Sequence, residues 1–186
     1  MKSIFYWIVV QFPVNLIRVL TEWLPDSRPV LRLRGLMLRP FFAQCGRNLQ
    51  VASGVQILNP HRIRLGDDVF IGYYSWINGL GGLVIEDEVM LGPFVVISTL
   101  RHHFVGGSVR FGGESPQPVQ IGRGTWLAAH VCVAGGVKIG TGSLIAAGAV
   151  VTRDIPEGVI ACGVPADRLT PRKDDQLGAI HGRWDV

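Results

Sequence analysis

The C-terminal half of the chain repeats an aliphatic residue at every sixth position. The positions in register are Ile121, Leu127, Val133, Ile139, Ile145 and Val151. A period of six matches neither the 3.6-residue turn of an α-helix nor the two-residue alternation of a strand, whereas short fixed periods mark solenoids. We therefore expect a coil with three short flat faces per turn, in which each face directs one aliphatic side chain to the axis.

The repeat extends toward the N-terminus with two slips of register. Two-residue insertions near residues 60–62 and in the Gly-rich stretch 79–82 restart the count, which gives the inward positions Val51, Ile57, Leu65, Ile71, Ile77, Ile85, Leu91 and Ile97. Small or β-branched residues stand four positions after most inward residues, as a narrow corner requires: Val55, Val69, Ser75, Val89, Val95, Thr125, Val131, Val137, Ser143 and Ala149. Each turn alone buries little, so the stability must come from stacking.

The repeat lapses between residues 98 and 118. This stretch is rich in Gly and Pro and predicts a loop that leaves the solenoid. Loops carried on a rigid scaffold are common places for catalytic and binding residues. The loop contains His102 and His103, which makes it the first place to look for a functional site.

The N-terminal segment has a different composition. Residues 3–24 predict one or two helices with a break near Pro13, and they carry an apolar stripe at helical spacing: Ile4, Trp7, Ile8, Leu16, Leu20 and Leu24. Residues 28–41 form a basic amphipathic stretch with Arg28, Arg32, Arg34 and Arg39. Two interpretations remain open. Either this extension packs over the open end of the solenoid or against another subunit, or residues 1–40 attach to a membrane surface with the arginines toward anionic head groups.

Other features of the sequence limit its location and partners. Polar residues interrupt the roughly 20 apolar residues that a membrane-spanning helix needs, and no small-x-small cleavage pattern follows, so we expect neither a span nor a signal peptide. Three cysteines (Cys45, Cys132 and Cys162) without metal-type spacing favour a reducing, cytoplasmic location. The net charge of +4 suits an anionic ligand or an acidic membrane. The basic residues are not interleaved with aromatics, so we expect no nucleic-acid partner.

Five segments together resemble the hexapeptide-repeat acyltransferases. They are IGYYSWIN (71–78), IEDEVMLGPFVVIS (85–98), IGRGTW (121–126), VKIGTGSLIAAGAVVTRDIP (137–156) and GVPA (163–166). The sequence looks most like the branch with the galactoside and maltose acetyltransferases and the sugar O-acetyltransferases of polysaccharide biosynthesis. The resemblance covers about residues 45–172. It implies an all-β, left-handed parallel β-helix, an exception to the right-handed crossover rule, and a homotrimer that binds acyl-CoA between adjacent protomers.

The resemblance also implies roles for individual residues. His102 fits the position of the catalytic base, with His103 as the near alternative, and Asn78 fits that of a residue that orients the acceptor or the base. Contacts with acetyl-CoA are expected from Trp126, Ala128, Ala129, Ala146, Ala147, Thr152 and Pro165, and its phosphates would meet Arg168 and Arg172. The family usually has Trp-Ile-Gly where this chain has Trp126-Leu127-Ala128. An N-terminal acidic residue that assists substrate binding in the sugar acetyltransferases could not be assigned to Glu22 or Asp26.

From these residues we expect an acetyl-CoA-dependent O-acetyltransferase acting on a hydroxyl of a sugar or polysaccharide precursor. A neutral histidine, with an ordinary pKa near 6.5, is suited to take the proton of that hydroxyl. An N-acetyltransferase of an amino sugar or nucleotide sugar, and a catalytically inactive β-helix scaffold, remain alternatives. His102 could equally be a solvated loop residue, and Asn78 could simply cap a corner.

A zinc enzyme of the carbonic anhydrase type shares this fold, but the chain does not match its ligand pattern. The five histidines (His61, His102, His103, His130 and His181) lack a His-x4-His pair on one turn, so we expect no metal. The expected organisation is an N-terminal helical extension over residues 1–44, a β-helix over 45–165 with the active-site loop 98–118, and a C-terminal tail over 166–186.

Overall fold

The computed structural model describes residues 2–172 of the chain. His181 and the part of the expected C-terminal tail beyond Arg172 lie outside the described residues.

The N-terminal extension is helical. Lys2–Tyr6 (α1), a π-helical turn over Trp7–Gln11 and Phe12–Thr21 (α2) follow one another without a gap, and Arg28–Leu38 (α3) continues into a short 3₁₀ turn at Arg39–Phe41. The π turn lies just before Pro13, whose ring and missing N–H are incompatible with the regular ladder. The helix is therefore not broken at Pro13 as predicted but only widened locally by the π turn, and residues 2–21 form one helical run.

Short parallel strands form three sheets. Sheet A contains β1 (Gln44–Cys45), β4 (Ile63–Leu65), β7 (Leu83–Ile85), β12 (Val119–Ile121) and β15 (Lys138–Ile139). Sheet B contains β2 (Gln50–Val51), β5 (Phe70–Ile71), β8 (Met90–Leu91), β13 (Trp126–Leu127), β16 (Leu144–Ile145) and β18 (Val159–Cys162), with β19 (Arg168–Pro171) added antiparallel. Sheet C contains β3 (Gln56–Leu58), β6 (Trp76–Asn78), β9 (Val96–Ser98), β14 (Cys132–Val133) and β17 (Val150–Val151).

The chain visits the sheets in the order A, B, C and repeats this over about six turns. The fold is a left-handed parallel β-helix with an N-terminal helical extension, which confirms the predicted fold class. We call its three corners the AB, BC and CA edges, after the sheets that they join. The BC edge, for example, consists of residues 52–55, 72–75, 92–95, 128–131 and 146–149.

The core follows the six-residue repeat. All fourteen predicted inward aliphatic residues are at most 3 % exposed, and the small corner residues four positions later are buried as well. Ile63, Leu83 and Val119 also point inward. The repeat did not reveal these three because they lie at the first position of three-residue strands in sheet A, outside the six-residue register.

The extension covers the open N-terminal end of the β-helix. Leu31 and Leu38 of α3 are buried against the first turn, and Gly35 lies so close that a Cβ there would come within 1.9 Å of the Leu49 carbonyl oxygen. The interpretation of the extension as an end cap is thus confirmed.

Two details of the structure show which side chains of the extension face outward. The apolar stripe of residues 4–20 faces away from the β-helix, and the buried side of the helical run carries Gln11, Val14 and Thr21 instead. Arg34 points inward as well and is buried. It therefore cannot face a head group as the other arginines of this stretch could.

Candidate active site

The loop that interrupts the repeat is a β-hairpin. Leu100–His102 (β10) pairs antiparallel with Glu114–Pro116 (β11), which places His102 opposite Glu114. Both His102 and His103 are exposed. His102 is the last residue of β10 and His103 follows it directly, so the two imidazoles occupy adjacent but separate positions on the hairpin.

The base of this hairpin is held tightly to the β-helix. The buried hydroxyl of Thr99 donates to the Asn78 carbonyl oxygen at 2.7 Å and accepts from the Gly81 N–H at 2.8 Å. The Gln117 N–H then donates to the Thr99 carbonyl oxygen at 2.8 Å, which closes the neck of the hairpin. The position of the histidines relative to sheet C is therefore fixed by a hydrogen-bonded anchor and not by the length of the loop alone.

Within residues 2–172, neither His102 nor His103 makes a side-chain hydrogen bond or an ion pair with another described residue. A catalytic base is normally oriented by a neighbour. For these imidazoles such a neighbour would have to come from outside the described residues, as a bound substrate or a second protomer could provide.

Asn78 lies at the CA edge next to the hairpin neck, but its side chain is already engaged. It is buried, and its Oδ1 accepts from Asn59 Nδ2 at 2.9 Å and from the Leu80 N–H at 3.1 Å. These bonds are those of a corner cap. That Asn78 orients an acceptor therefore stays a prediction. Its own carbonyl oxygen accepts the hydrogen bond from Thr99, so Asn78 is in direct contact with the anchor of the hairpin.

Most of the expected cofactor contacts meet along the BC edge. Ala128 and Ala129 follow β13, Ala146 and Ala147 follow β16, and the Gly148 N–H donates to the Ala129 carbonyl oxygen at 2.9 Å, so the two pairs lie on adjacent turns. Trp126 faces outward on sheet B between Met90 and Leu144 and is 46 % exposed. Together they form a narrow wall of small side chains with one exposed indole.

The remaining contacts are more scattered. Pro165 belongs to the BC edge of the last turn, since the next residue, Ala166, donates its N–H to the Val150 carbonyl oxygen. Arg168 is exposed on β19 opposite Cys162. Thr152 lies at the CA edge, and the Arg172 guanidinium lies near Gly142 at the AB edge. The structure therefore does not bring Thr152 and Arg172 to the same edge as the alanines.

The histidine hairpin and the alanine wall lie on different edges of one protomer. The hairpin leaves the CA edge between β9 and β12, whereas the wall runs along the BC edge on the other side of sheet C. Two of the larger grooves lie elsewhere, one of about 410 Å³ beside α3 and one of about 350 Å³ on sheet A. A single chain thus supplies both halves of a site without joining them.

Ala128 and Ala129 also differ in whether their backbone N–H groups are free to bind an oxyanion. The N–H of Ala128 donates to the Ile145 carbonyl oxygen at 2.9 Å as part of the ladder between turns. Because an oxyanion hole needs a donor aimed at the reacting oxygen, Ala129 is the better candidate of the two.

The structure reveals one carboxylate that the sequence did not assign. The Asp26 side chain is only 7 % exposed, pairs with the Arg34 guanidinium and accepts from the Ser53 N–H at 3.1 Å and from Ser53 Oγ at 2.9 Å. Burial, the largest single influence, opposes its ionisation, yet the hydrogen bonds from Arg34 and Ser53 outweigh burial and lower the pKa of Asp26. Glu22, the other candidate, forms an exposed pair with Arg18.

These contacts hold the Asp26 carboxylate against the BC edge, to which Ser53 belongs. Burial and the charge of Asp26 raise the pKa of the neighbouring Tyr73 phenol, which therefore stays protonated as a hydrogen-bond donor. The sequence could not reveal this cluster, because Asp26 and Ser53 are 27 residues apart and meet only when the extension caps the first turn.

An aromatic column continues along the same edge. The rings of Tyr74 and Phe94 stack at 5.5 Å between centroids, and those of Phe94 and His130 stack at 4.9 Å. All three residues have positive φ angles, and this mutual stacking is a favourable contact for residues in a backbone conformation that side chains rarely adopt. Among residues 2–172, no group of three or more His, Cys, Asp or Glu side chains could hold a metal ion.

Comparison with known proteins agrees with this architecture. Residues 118–153 match the family described as "Bacterial transferase hexapeptide (six repeats)". The chain is 32 % identical over 158 residues to the putative colanic acid biosynthesis acetyltransferase WcaF of Escherichia coli K12, covering 83 % of this chain and 82 % of that protein. It is 34 % identical to the galactoside O-acetyltransferase of the same organism, covering 71 % of this chain but only 65 % of that protein.

Two solved structures are similar as well. The maltose O-acetyltransferase of Clostridium difficile 630 superposes with a TM-score of 0.74 and 28 % identity, covering 87 % of this chain and 85 % of that one. A galactoside acetyltransferase in complex with coenzyme A superposes with a TM-score of 0.70 and 26 % identity, covering 86 % and 78 %. The repeat, the hairpin and these likenesses together establish that the chain belongs to the hexapeptide-repeat acyltransferases, in their sugar O-acetyltransferase branch.

Proposed function

We propose that the protein transfers an acetyl group from acetyl-CoA to a hydroxyl of a sugar or of a polysaccharide precursor. The observation that carries the proposal is the anchored hairpin with two exposed histidines on a hexapeptide β-helix. Three further observations support it: the names of the WcaF and galactoside relatives, the maltose acetyltransferase structure, and the coenzyme A complex of the galactoside enzyme.

In the proposed mechanism the His102 imidazole acts as a general base. Its unprotonated nitrogen accepts the hydroxyl proton of the acceptor while the acceptor oxygen bonds to the thioester carbonyl carbon. The resulting oxyanion accepts a hydrogen bond from a backbone N–H such as that of Ala129. The carbon–sulfur bond then breaks, the sulfur takes the proton from the imidazolium, and the products are the acetyl ester and CoA. A positioned base contributes about 10²–10⁴-fold, and no covalent enzyme intermediate is needed.

The BC edge fits the narrow pantetheine arm of acetyl-CoA. Ala128, Ala129, Ala146 and Ala147 present small side chains in two adjacent rows, and Trp126 can form one side of the groove. Arg168 is exposed near the end of this edge and can reach phosphates. The Arg172 guanidinium lies at the AB edge, away from the alanines. We therefore assign the phosphates to Arg168 in preference to Arg172.

We further propose a homotrimer with the active sites between protomers. The outward positions of sheet A are mostly polar. After the first turn, which has Gln50 and Gln56 there, those of sheets B and C are mostly apolar: Phe70, Met90, Trp126, Leu144 and Ile160 on sheet B, and Trp76, Val96, Cys132 and Val150 on sheet C. Two different apolar faces on one chain suit a heterologous contact, which closes into a ring. Such a ring would place the hairpin of one protomer beside sheet B of the next, the sheet that carries Trp126.

The test is an activity screen on the purified chain. Acetyl-CoA is combined with galactosides, maltose, amino sugars and nucleotide sugars, CoA release is followed with a thiol reagent, and the product is identified by mass spectrometry. Light scattering gives the oligomeric state. We expect release with at least one sugar, an added mass of one acetyl group as an ester, and a trimer. A product acetylated only on nitrogen would contradict O-acetylation. So would the absence of CoA release with every acceptor although acetyl-CoA binds.

Paired variants identify the base. His102→Ala should lower turnover at least a hundredfold while CoA binding, measured by calorimetry, stays nearly unchanged. His103→Ala is the matched control, because it removes the same group from the adjacent position of the same hairpin. If His103→Ala is the inactive variant, the base is His103, and if both remain active, neither histidine is the base.

A further inference from the structure

The helical run at the N-terminus exposes an extended apolar surface. Its exposed large side chains include Phe5, Trp7, Ile8, Phe12 and Leu20, and Trp23 follows just after the run; each of these six is between 54 % and 78 % exposed. We call these six residues the N-terminal apolar face. Contiguous apolar patches of this kind are rare on the surface of a soluble monomer and mark interaction sites.

Hydrogen bonds at the end of the β-helix fix the orientation of this face. Gln11 Nε2 donates to the Ile57 carbonyl oxygen at 2.9 Å, and the Asn59 N–H donates to the Tyr6 hydroxyl at 3.1 Å. Val14 is buried beside them. Rotating the run to bury its apolar side would break both bonds and leave buried polar groups unpaired. The N-terminal apolar face therefore points outward for a structural reason.

The charges of the N-terminal extension are predominantly positive. Residues 2–43 contain six basic and two acidic residues, so they carry the whole formal net charge of +4. Both acidic residues are paired, Asp26 with the buried Arg34 and Glu22 with Arg18. Arg28, Arg32 and Arg39 are exposed on or just after α3. Arg32 and Arg39 also line the groove of about 410 Å³ beside α3.

We propose that the N-terminal apolar face binds the surface of a membrane that contains anionic lipids. Aromatic and aliphatic side chains enter the boundary between head groups and acyl chains, and the exposed arginines meet lipid phosphates. Tryptophans at either end of the face, Trp7 and Trp23, suit this boundary because their rings are amphipathic. The site would hold the β-helix at the membrane surface, close to any acceptor carried on a lipid.

Binding along the surface fits these contacts better than crossing the bilayer. Ile4–Thr21 is long and apolar enough to cross a membrane, with a mean hydropathy of 1.5 over 18 residues. A crossing would pull Gln11 from the Ile57 carbonyl oxygen and Val14 from the core, and it would uncover the open end of the β-helix. Binding through the exposed side retains all of these contacts.

The test is co-flotation of the full chain with vesicles of phosphatidylcholine, with and without phosphatidylglycerol. We expect the protein to float with the anionic vesicles and to be released by high salt. Phe12→Ser with Leu20→Ser should lower the partition coefficient about a hundredfold, and Val84→Ser, an exposed apolar residue on sheet A, is the control. Arg28→Gln with Arg32→Gln should lower it about thirtyfold on anionic vesicles only, with Arg62→Gln and Arg64→Gln as the charge-matched control.

Three results would overturn the proposal. The first is that the unaltered chain floats with neither kind of vesicle. The second is that it floats, resists alkaline extraction and protects an N-terminal tag from added protease, which indicates a crossing helix. The third is that Phe12→Ser with Leu20→Ser changes the oligomeric state in lipid-free buffer without any vesicle binding, which indicates a second copy as the occupant. All three are independent of acetyltransferase activity.

Discussion

Replacing Asp26 with asparagine tests how the extension is attached to the β-helix. The side chains of Asp26 and Arg34 are 7 % and 4 % exposed, so their ion pair is shielded from water. Arg34 also donates to the carbonyl oxygens of Thr21 at 2.8 Å and Leu24 at 3.0 Å. Asp26→Asn keeps the size of the side chain and removes its charge, which leaves the guanidinium buried among neutral acceptors.

The expected cost follows from that burial. Removing one partner of a buried ion pair typically costs about 3–5 kcal/mol, because the other charge is left uncompensated. The carbonyl acceptors of Arg34 remain in place, so we expect a value near the lower end, about 3 kcal/mol. Set against a typical domain stability of about 5–15 kcal/mol, this is a large fraction.

Urea unfolding provides the measurement, and the chain contains a matched control. Glu22→Gln removes a carboxylate from an exposed pair with Arg18, in which the two charged atoms are 3.5 Å apart. This change should cost no more than about 0.5 kcal/mol. Because repeat folds can lose terminal units separately, amide exchange in residues 21–34 and 51–53 should show whether the loss is local to the cap. Adding Arg34→Met to Asp26→Asn should recover part of the stability.

The pH dependence gives a second readout. The folded pKa of Asp26 lies below its ordinary value of 3.8. Its contribution to stability is therefore complete above about pH 4 and is lost as the pH falls through the folded pKa. The difference between the unaltered chain and Asp26→Asn should be constant near neutrality and shrink in acid. A cost no larger than that of Glu22→Gln, or a difference that grows in acid, would refute the assignment.

Two further predictions concern the core and the hairpin. Leu127→Ala removes a fully buried side chain between Leu91 and Ile145 on the neighbouring turns and should lower the free energy of unfolding by about 3–4 kcal/mol in urea; a cost below about 1 kcal/mol would contradict the packing. Gly81→Ala places a Cβ within 1.9 Å of the Thr99 carbonyl oxygen, so it should shift the hairpin neck and lower turnover about a hundredfold with little change in CoA affinity. Val109→Ala, which shortens an exposed side chain of the same hairpin away from its neck, is its control, and equal losses from both variants would count against the anchor.

The β-helix was predictable because its signal is local and repeated. Each turn directs residues such as Ile139 and Ile145 to the axis, and the same six-residue spacing recurs after every corner. The two slips of register fall at the CA edge, where the first turns carry two extra residues. The fold therefore follows from a pattern that is visible in any short window of the sequence.

The candidate site was only partly predictable, because its parts come from different edges. The sequence places His102 in a loop and the alanines in a corner, but it contains no information on the distance between the CA and BC edges. Asp26 is harder still, since its partners Arg34 and Ser53 come together only through the packing of the cap. Contacts between distant segments depend on the assembled surface and leave no local period.

Amphipathicity alone does not explain the orientation of the N-terminal helices. The first turn of a parallel β-helix has no preceding turn, so some of its carbonyl groups face the open end as the edge of a sheet does. Gln11 donates to the Ile57 carbonyl oxygen, and Arg34 reaches that of Val51 at 3.4 Å. The cap must turn these polar side chains inward because buried carbonyl groups require donors. Its apolar side is then left outward, so the requirement for donors at the end of the β-helix also creates the surface that we assign to the membrane.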